Sequence, residues 1–158
     1  MDVYEGIIKL LDAHKVRYEA STHPAVKTSA EAAAIRGVDI KTGAKAMVIR
    51  SEGKFYMFCL SAADKVDFKA VRRILGTDSV SLATPEEVLA VTHCVVGCVP
   101  PFGSALFGIK TYVDRHLLLI PEINFSAGLL THSVRIKTSD WHQIVEAEEE
   151  EYCSQAKH

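Results

Sequence analysis

The chain has 158 residues, of which 48% are hydrophobic and 24% charged, and its net charge is −2 at pH 7. This length and composition suit one globular domain, residues 1–158, with a sizeable core. The negative charge argues against a protein that coats nucleic acid nonspecifically, but not against one that touches only the end of an RNA. We find no membrane-spanning stretch and no signal-peptide pattern, and the four scattered cysteines favour reduced thiols, so we expect a cytoplasmic protein.

The first half of the chain predicts helices on both sides of a β-hairpin. Thr28 and Glu31 have the spacing of a capping box before an alanine-rich segment. Two runs of strand-forming residues flank a Ser-Glu-Gly turn, which is typical of a hairpin. The predicted elements are helix 3–15, strand 17–22, a helix from Thr28 to about Gly37, strands 45–50 and 54–60, and helix 67–75, which Gly76 ends.

The second half predicts further strands between two helices. Residues 84–87, Thr-Pro-Glu-Glu, place a proline and acids in the first turn of a helix. The acidic run 148–151 and the tail to residue 158 are expected to be solvated and frayed. Because strands and helices do not alternate regularly, we predict an α+β fold. The remaining predicted elements are strands 94–99, 112–113, 123–126 and 133–137, and a last helix that begins at Ser139-Asp140.

Lys45 is the first candidate for chemistry. It is the only ionisable residue between Thr42 and Ile49, and its neighbours are small or apolar. A lysine at the edge of a strand is usually just solvated. An ammonium group held away from water can instead bind a phosphate or stabilise a developing oxyanion.

The loop 97–103, Gly-Cys-Val-Pro-Pro-Phe-Gly, is the second candidate. Two glycines and two prolines make its backbone stiff at some positions and free to take unusual angles at others. Such a loop can point several N–H groups at an anionic oxygen, although it could also be only a rigid turn after a buried strand. Since prolines have no N–H, the donors must come from Gly97, Cys98, Val99, Phe102 or Gly103.

Short motifs that resemble those of a known family occur in that family's order and span most of the chain. They are Thr-His-Pro-Ala at 22–25, Thr-Ser-Ala-Glu-Ala-Ala at 28–33, Gly-Ala-Lys-Ala-Met-Val at 43–48, Gly97-x-x-x-Pro101 with Phe102-Gly103, and Phe-Ser-Ala-Gly at 125–128. With them the chain resembles the YbaK/prolyl-tRNA-synthetase editing-domain family of aminoacyl-tRNA deacylases. The resemblance implies a curved, mostly antiparallel mixed sheet surrounded by helices.

The resemblance also implies roles for individual residues. Lys45 would bind the 3′-terminal phosphate or ribose and polarise the ester carbonyl, while Gly97 and Pro101 would position the substrate. Phe102 could stack on the terminal adenine or belong to the core. Further substrate-binding candidates are Gly103, Ser126, Gly128, Tyr18 and His23, and His132 is a catalytic candidate that could position or activate water.

Four basic residues are predicted on one face of the helix near 67–75. Their spacing is i, i+4, i+7 and i+8. One interpretation is a solvated face opposite the apolar side of that helix. The other is a contact with the tRNA acceptor stem, because such clustering is notable in an acidic chain. The residues are Lys65, Lys69, Arg72 and Arg73.

Two cysteines suggest further hypotheses. Cys94 and Cys98, beside His93, could bind zinc, but residues four apart in a strand lie roughly 13 Å apart unless the loop turns back. Since no second pair lies nearby, we predict no metal. Cys98 could also be the nucleophile of an ester or thioester hydrolase, although the sequence shows no activating partner.

The sequence therefore predicts a free-standing hydrolase, without a cofactor, that cleaves a wrong amino acid from the 3′ end of tRNA. The expected substrate is proline tRNA carrying alanine, cysteine, serine or threonine, with water as the attacking group and the substrate's own 2′-OH as a candidate helper. Alanine-specific members tend to carry asparagine after the lysine, where this chain has Ala46. The expected partners are the tRNA acceptor end and, as a second candidate, an aminoacyl-tRNA synthetase. The alternatives are a noncatalytic module that binds the tRNA end or a synthetase, and the Cys98-dependent hydrolase.

Overall fold

The computed structural model describes residues 2–26 and 28–155. The helices are α1 (Val3–Ala13), α2 (Ser29–Arg36), α3 (Phe68–Leu75), α4 (Pro85–Thr92), α5 (Arg115–Leu118) and α6 (Thr138–Val145), with a 3₁₀ turn at Ile40–Thr42 and a π-helical turn at Gly103–Phe107. The strands are β1 (Tyr18–Thr22), β2 (Ala44–Ser51), β3 (Lys54–Ser61), β4 (Asp64–Val66), β5 (Ser81–Leu82), β6 (Lys110–Asp114), β7 (Glu122–Ser126), β8 (His132–Lys137), β9 (Glu148–Glu150) and β10 (Cys153–Gln155). No helix within these residues is long and apolar enough to cross a bilayer.

The strands form three hydrogen-bonded sheets. The largest has the order β5-β2-β3-β6-β9, in which β2 is antiparallel to β3 and β5, whereas β6 is parallel to β3 and β9. A three-stranded antiparallel sheet has the order β1-β8-β7, and β4 pairs antiparallel with β10. The predicted α+β class, with mostly antiparallel strands and helices around them, is confirmed.

Local sequence signals set the limits of the helices. The Thr28 side chain accepts a hydrogen bond from the N–H of Glu31 at the start of α2, and Gly37 ends that helix in the left-handed conformation. Thr84 and Glu87 form the complete capping box of α4. The short, well-bounded α2 leaves its last residue next to β7, where the candidate site lies.

A β-bridge joins the two larger sheets. Gly43, just before β2, forms a parallel β-bridge with Asn124 of β7. The carbonyl of Gly43 also accepts a hydrogen bond of 2.7 Å from the N–H of Ala62, after β3. Because of this junction, the first residues of β2, including Lys45, lie beside the end of the three-stranded sheet.

Two hydrophobic clusters stabilise this arrangement. The larger one fills the space between the sheets and α6, with Trp141 and Phe125 fully buried in it. The smaller one lies under α3 and contains Phe58, Tyr112 and Tyr152. Burial of apolar area on this scale is the dominant stabilising contribution in a domain of this size.

The prediction of a frayed acidic tail is wrong for residues 148–155. Glu148–Glu150 is an edge strand parallel to β6, and Cys153–Gln155 pairs with β4. The reason is Tyr152, which is 1% exposed and donates its hydroxyl to the carbonyl of Cys59 at 2.5 Å. Residues 156–158 of the predicted tail lie outside the described part of the chain.

The predicted strand at 94–99 is also wrong. The chain leaves α4 at Thr92 and makes a turn in which the N–H of Cys98 donates to the carbonyl of Val95 at 3.1 Å. Gly97 has a φ of +96°, which ends any extended conformation there. Val95 and Val96, whose apolar side chains suggested a buried strand, are 50% and 61% exposed.

Candidate functional site

A cavity of about 230 Å³ lies where α2, the start of β2, the turn at 95–99 and β7 meet. Its charged lining consists of Lys45 and Arg36, and no carboxylate or imidazole from the described residues lines it. Two cations on a lining without acidic side chains make the cavity suited to an electron-rich or anionic group. The polar lining is completed by Thr28, Ser29, Asn124 and Ser126.

Lys45 lies at the start of β2, as its sequence context predicted, and its side chain is half-buried. Its Nζ donates to the backbone carbonyl of Asp64 at 2.9 Å, and no salt bridge joins it to a carboxylate within the described chain. Burial lowers the pKa of Lys45, while the nearby Cys153 and Asp64 act in the opposite direction. The ammonium group is thus anchored by a neutral oxygen and its charge is not cancelled by a paired acid.

The turn at 95–99 supplies two backbone donors at the cavity. The N–H groups of Cys98 and Phe102 are used inside the loop, by the carbonyls of Val95 and Pro100. Gly97 and Val99 both line the cavity, and neither N–H has an acceptor within the described residues. Of the donors that the sequence offered, these two are unpaired and belong to residues that line the cavity.

Arg36, the last residue of α2, also lines the cavity. Its Nη1 donates to Oδ1 of Asn124 at 2.7 Å, and its Nη2 donates to Oγ of Ser126 at 3.3 Å. Its Nε donates to Oγ of Ser133 at 2.8 Å. Burial lowers the pKa of this guanidinium group, and its partners are all neutral. The network fixes the polar side of the cavity without neutralising its charge.

Arg36 and Asn124 were not among the candidates predicted from the sequence. Asn124 interrupts the apolar run Ile-Asn-Phe of β7 and is 4% exposed. A buried amide must find hydrogen-bond partners, so its place in that run was a usable signal for a polar network. Arg36 offered no such signal, because an arginine in the last turn of a helix is ordinarily a solvent-exposed partner of the helix dipole.

Three residues of the predicted loop are core residues. Phe102 is fully buried and lies edge-to-face against Phe125, with ring centroids 5.4 Å apart, so it is not available to stack on a base. Pro101 is buried and its carbonyl accepts a hydrogen bond of 2.9 Å from Nε1 of Trp141. A Cβ at Gly103 would lie 2.1 Å from Oγ1 of Thr111. None of these three residues lines the cavity.

The remaining sequence candidates are divided between the cavity and its surroundings. Ser126 lines the cavity, but Gly128 faces α1, where a Cβ would lie 3.0 Å from the side chain of Val3. His132 does not line the cavity; its ring lies 4.7 Å from that of Tyr4, and its Nδ1 is 2.8 Å from Oγ1 of Thr131.

Tyr18 and His23 lie outside the cavity lining as well. The Tyr18 hydroxyl donates to Asp12 at 2.8 Å, and this hydrogen bond is the main reason why the pKa of Tyr18 is raised. Nε2 of His23 is 2.7 Å from Oγ of Ser133, which Arg36 also contacts. His23 therefore reaches the site through the arginine network.

The predicted basic face is only partly correct. Lys65 lies in β4 rather than on α3, because Asp67 begins the helix two residues later. Lys69, Arg72 and Arg73 line a groove of about 530 Å³ at the end of α3, together with Thr77 and Asp78. Three basic side chains on one open groove form a cationic surface separate from the cavity.

The hypothesis that Cys98 is a nucleophile is not supported by the position of its thiol. Cys98 is 2% exposed, does not line the cavity, and its thiol donates to the carbonyl of Val95 at 3.2 Å. A hydrogen bond with Cys94 lowers the pKa of Cys98 to about 7, but the thiol is covered by the loop. Nothing in this geometry favours attack by Cys98 on a bound ester.

A cluster behind Lys45 contains atoms that could ligate a metal. Single side-chain atoms of Asp64, Asp114 and Cys153 lie within 4.8 Å of one another. Asp114 already accepts hydrogen bonds from the N–H groups of Tyr152 and His116, and Asp64 contacts Nδ1 of His116 at 3.2 Å. Since hydrogen bonds occupy these carboxylates, we interpret the cluster as structural support for β4 and β10.

A second cavity, of about 560 Å³, lies on the other side of Asn124. It is lined by Lys41, the paired Asp64 and His116, and the ion pair of Arg135 with Glu122. It contains neither Lys45 nor Gly97. Its charges are largely matched within its own lining, so the smaller cavity is the better candidate for chemistry.

Comparison with known proteins shows the class to which this chain belongs. The sequence matches the aminoacyl-tRNA editing domain family over residues 23–144, a range that contains α2, β2, the loop and β7. The chain belongs to this family. Membership confirms the resemblance found in the sequence and the enzyme class expected from it, an aminoacyl-tRNA deacylase.

Individual relatives make the comparison more specific. The chain is 33% identical over 152 residues to the multifunctional Ser/Thr-tRNA deacylase ProXp-y of Escherichia coli (strain K12), covering 92% of this chain and 89% of the relative. It is 25% identical over 125 residues to the proline–tRNA ligase of Thermosipho melanesiensis, a match that covers 79% of this chain but 22% of the ligase. A crystal structure of a proposed trans-editing enzyme for prolyl tRNA synthetase has the same fold, with a TM-score of 0.81, 22% identity and 98% coverage of both chains.

Proposed function

We propose that this protein, as a single editing domain over residues 1–158, removes small wrong amino acids from tRNA, with seryl and threonyl esters as its main substrates. The observation that carries the proposal is the small cavity with Lys45 and two free backbone N–H groups on its lining. The similarity to a Ser/Thr-tRNA deacylase over most of both chains supports the choice of amino acids. Proline tRNA is the first tRNA to test, since the motifs resemble those of prolyl-tRNA-synthetase editing domains.

The size of the cavity supports selection of small acyl groups. A volume of about 230 Å³ is below the range of about 300–1,000 Å³ that drug-sized ligand sites occupy. A synthetase cannot reject a smaller or nearly isosteric amino acid by binding alone, so a second site that admits only small residues completes the selection. The cavity is suited to that second selection.

The proposed reaction is hydrolysis of the ester between the amino acid and the terminal ribose. Water adds to the carbonyl carbon, the bond from that carbon to the ribose oxygen breaks, and the proton from water passes to the leaving ribose oxygen. The negative charge that develops on the carbonyl oxygen would be stabilised by the Lys45 ammonium and by the N–H groups of Gly97 and Val99. These donors are part of the folded loop, so little reorganisation is needed during the reaction.

The proton transfer is proposed to use the substrate itself. No histidine, aspartate or glutamate from the described residues lines the cavity. The neighbouring 2′-OH of the ribose can orient the attacking water and relay its proton to the leaving oxygen. Lys45 then acts electrostatically and does not need to accept a proton.

The groove at the end of α3 is the proposed contact for the tRNA acceptor stem. Lys69, Arg72 and Arg73 would bind phosphates without reading sequence. Replacing Arg73 by serine should lower the rate of deacylation of whole tRNA and reduce the dependence of that rate on salt. The rate for a short aminoacylated minihelix that does not reach the groove should stay unchanged. A synthetase partner remains a prediction that the same assays can address by adding purified prolyl-tRNA synthetase.

Deacylation of charged proline tRNA tests the proposal. Proline tRNA charged separately with serine, threonine, alanine, cysteine and proline is incubated with the wild type, Lys45→Ala and Lys54→Ala. Lys54 is an exposed lysine at the far end of the same hairpin, so its variant controls for the loss of a positive charge. We expect rapid loss of serine and threonine, retention of proline, and at least about a 100-fold lower rate for Lys45→Ala alone, as for removal of an oxyanion donor.

Two other results would redirect the interpretation. If Lys45→Ala deacylates as fast as the wild type, the assignment of Lys45 is wrong. If the wild type releases no amino acid but still binds the tRNA end, the protein is a noncatalytic module with this fold. Sensitivity of the rate to thiol alkylation would point to Cys98 despite its burial.

A further inference from the structure

The guanidinium group of Arg36 determines the direction of the hydrogen bonds around the cavity. Arginine carries N–H donors and no acceptor, so each of its partners must accept. The three partners are Asn124, Ser126 and Ser133, at 2.7, 3.3 and 2.8 Å. Each of them must therefore direct its own hydrogen-bond donor elsewhere.

Two of these partners already use their donors. Because Oδ1 of Asn124 faces Arg36, its Nδ2 points to Thr42, where it donates to Oγ1 at 2.9 Å and to the carbonyl at 3.3 Å. Ser133 lies 2.7 Å from Nε2 of His23. In the neutral imidazole, Nδ1–H donates to the carbonyl of Pro24 at 2.9 Å, so Nε2 accepts the proton of Ser133.

Ser126 differs from the other two partners. It lines the cavity, is partly exposed, and its hydroxyl proton has no acceptor within the described residues. Arg36 occupies one lone pair of the Ser126 oxygen, which turns the O–H away from the network. The structure thus contains one hydroxyl donor at the cavity whose direction is set by an arginine.

We propose that the Ser126 O–H recognises the side-chain hydroxyl oxygen of a seryl or threonyl ester, and that Arg36 is the positioning residue that holds Ser126 as a donor. This inference rests on the proposed function, whose substrate selectivity it explains. An alanyl group offers no acceptor, and the sulfur of a cysteinyl group is a weak one. In those complexes the Ser126 donor is left unpaired, which disfavours them relative to the hydroxyl-bearing substrates.

The test compares rate constants for seryl and alanyl esters on proline tRNA under single-turnover conditions. The proteins are the wild type, Ser126→Ala, Ser126→Thr, Arg36→Lys and Ser21→Ala. Ser21 is an exposed serine of β1 and is the matched control for loss of a hydroxyl group. Thermal melting of each variant establishes that it is folded at the assay temperature.

The expected result is a change in the ratio of the two rate constants. Ser126→Ala lowers the ratio of seryl to alanyl hydrolysis about tenfold, the usual effect of one hydrogen bond, while Ser126→Thr keeps the wild-type ratio. Arg36→Lys lowers the same ratio although the Ser126 hydroxyl is still present, because a lysine cannot hold all three acceptors at once. Ser21→Ala has the wild-type ratio. A purely structural role would lower both rates together and leave the ratio unchanged.

An unchanged ratio in folded Ser126→Ala overturns the inference. If the wild type hydrolyses none of the esters, the proposed function fails, and this inference is then decided by binding. The probes are the stable amides 3′-serylamino- and 3′-alanylamino-3′-deoxyadenosine, measured by calorimetry. A preference for the seryl amide that disappears in Ser126→Ala supports the inference, whereas equal binding of the two amides by the wild type contradicts it.

Discussion

Replacement of Gly103 by alanine should destabilise the fold without removing a substrate contact. A Cβ at this position would lie 2.1 Å from Oγ1 of Thr111, 3.0 Å from Cβ of Met57 and 3.3 Å from Cγ1 of Ile109. Thr111 is 1% exposed, and its hydroxyl donates to the carbonyl of Ile109 at 3.1 Å. Its oxygen would have to move by about an ångström in a closely packed region, which disrupts that hydrogen bond.

The magnitude follows from two contributions. Overpacking of a buried site costs about 1–3 kcal/mol, and the disrupted hydrogen bond adds about 1 kcal/mol. For a chain of this length the combined loss corresponds to a Tm about 5–15 °C below that of the wild type. Thermal unfolding followed by circular dichroism measures it, and the deacylation rate per folded molecule at low temperature should stay within about threefold of the wild type.

Two further variants make this reasoning testable. Thr111→Ala removes the atom that the new methyl group would meet, so the double variant Gly103→Ala/Thr111→Ala should be less destabilised than the sum of the single changes. Gly76→Ala is the control for backbone strain, because Gly76 has a φ of +70° and a Cβ there would have no neighbouring atom within 4 Å. A Tm for Gly103→Ala within about 2 °C of the wild type, or a double variant that shows strict additivity, would refute the steric argument.

Two other predictions concern the ammonium group and the C-terminal strand. Burial lowers the pKa of Lys45, and the proposed mechanism uses its charged form. Binding of a stable 3′-seryl amide should therefore weaken as the pH rises through a value below the 10.5 of an ordinary lysine, and Lys45→Arg should abolish that pH dependence. A wild-type profile that is flat up to pH 10.5 contradicts this. Tyr152→Ala should lower the free energy of unfolding, measured by urea titration, by about 3–5 kcal/mol, because it leaves the space of a buried ring empty. Tyr152→Phe should lower it by about 1 kcal/mol, because it removes only the hydrogen bond from the hydroxyl to the carbonyl of Cys59. Equal effects of the two variants would mean that ring burial is not the main contribution.

The sequence was most informative where local signals decide the structure. The caps at Thr28 and Thr84 and the glycine stops at Gly37 and Gly76 act within one helical turn, and each lies where the pattern predicted it. The acidic strand β9 could not be predicted in this way. Its three glutamates have low strand propensity. Its pairing with β6 is supported by the burial of Tyr152 in a cluster whose other members come from earlier parts of the chain.

The candidate site shows the same limit. Lys45 could be singled out as a candidate from the sequence because a charged residue stood alone in an apolar segment. The Arg36 network, in contrast, depends on contacts between residues 88 to 97 positions apart in the chain. Phe102 illustrates a choice that the sequence left open. An aromatic residue next to functional motifs suggests a stacking surface, but only the tertiary structure shows that its ring faces Phe125 inside the core.

The loop 97–103 combines residues that line the cavity with residues that are buried in the core. This combination explains how the loop can hold backbone N–H groups that have no acceptor. Gly97 and Val99 face the cavity, whereas the backbone between and beyond them is anchored in the core. The carbonyl of Cys98 accepts from the N–H of Gly128 at 3.0 Å, and the carbonyl of Pro101 accepts from the Trp141 ring at 2.9 Å. Glycine and proline alone would make the loop stiff without fixing its orientation. The buried anchors fix that orientation, so in the proposed reaction the two N–H groups would meet the developing oxyanion without reorganisation. Pro101 contributes to the site through the position of the backbone that it holds.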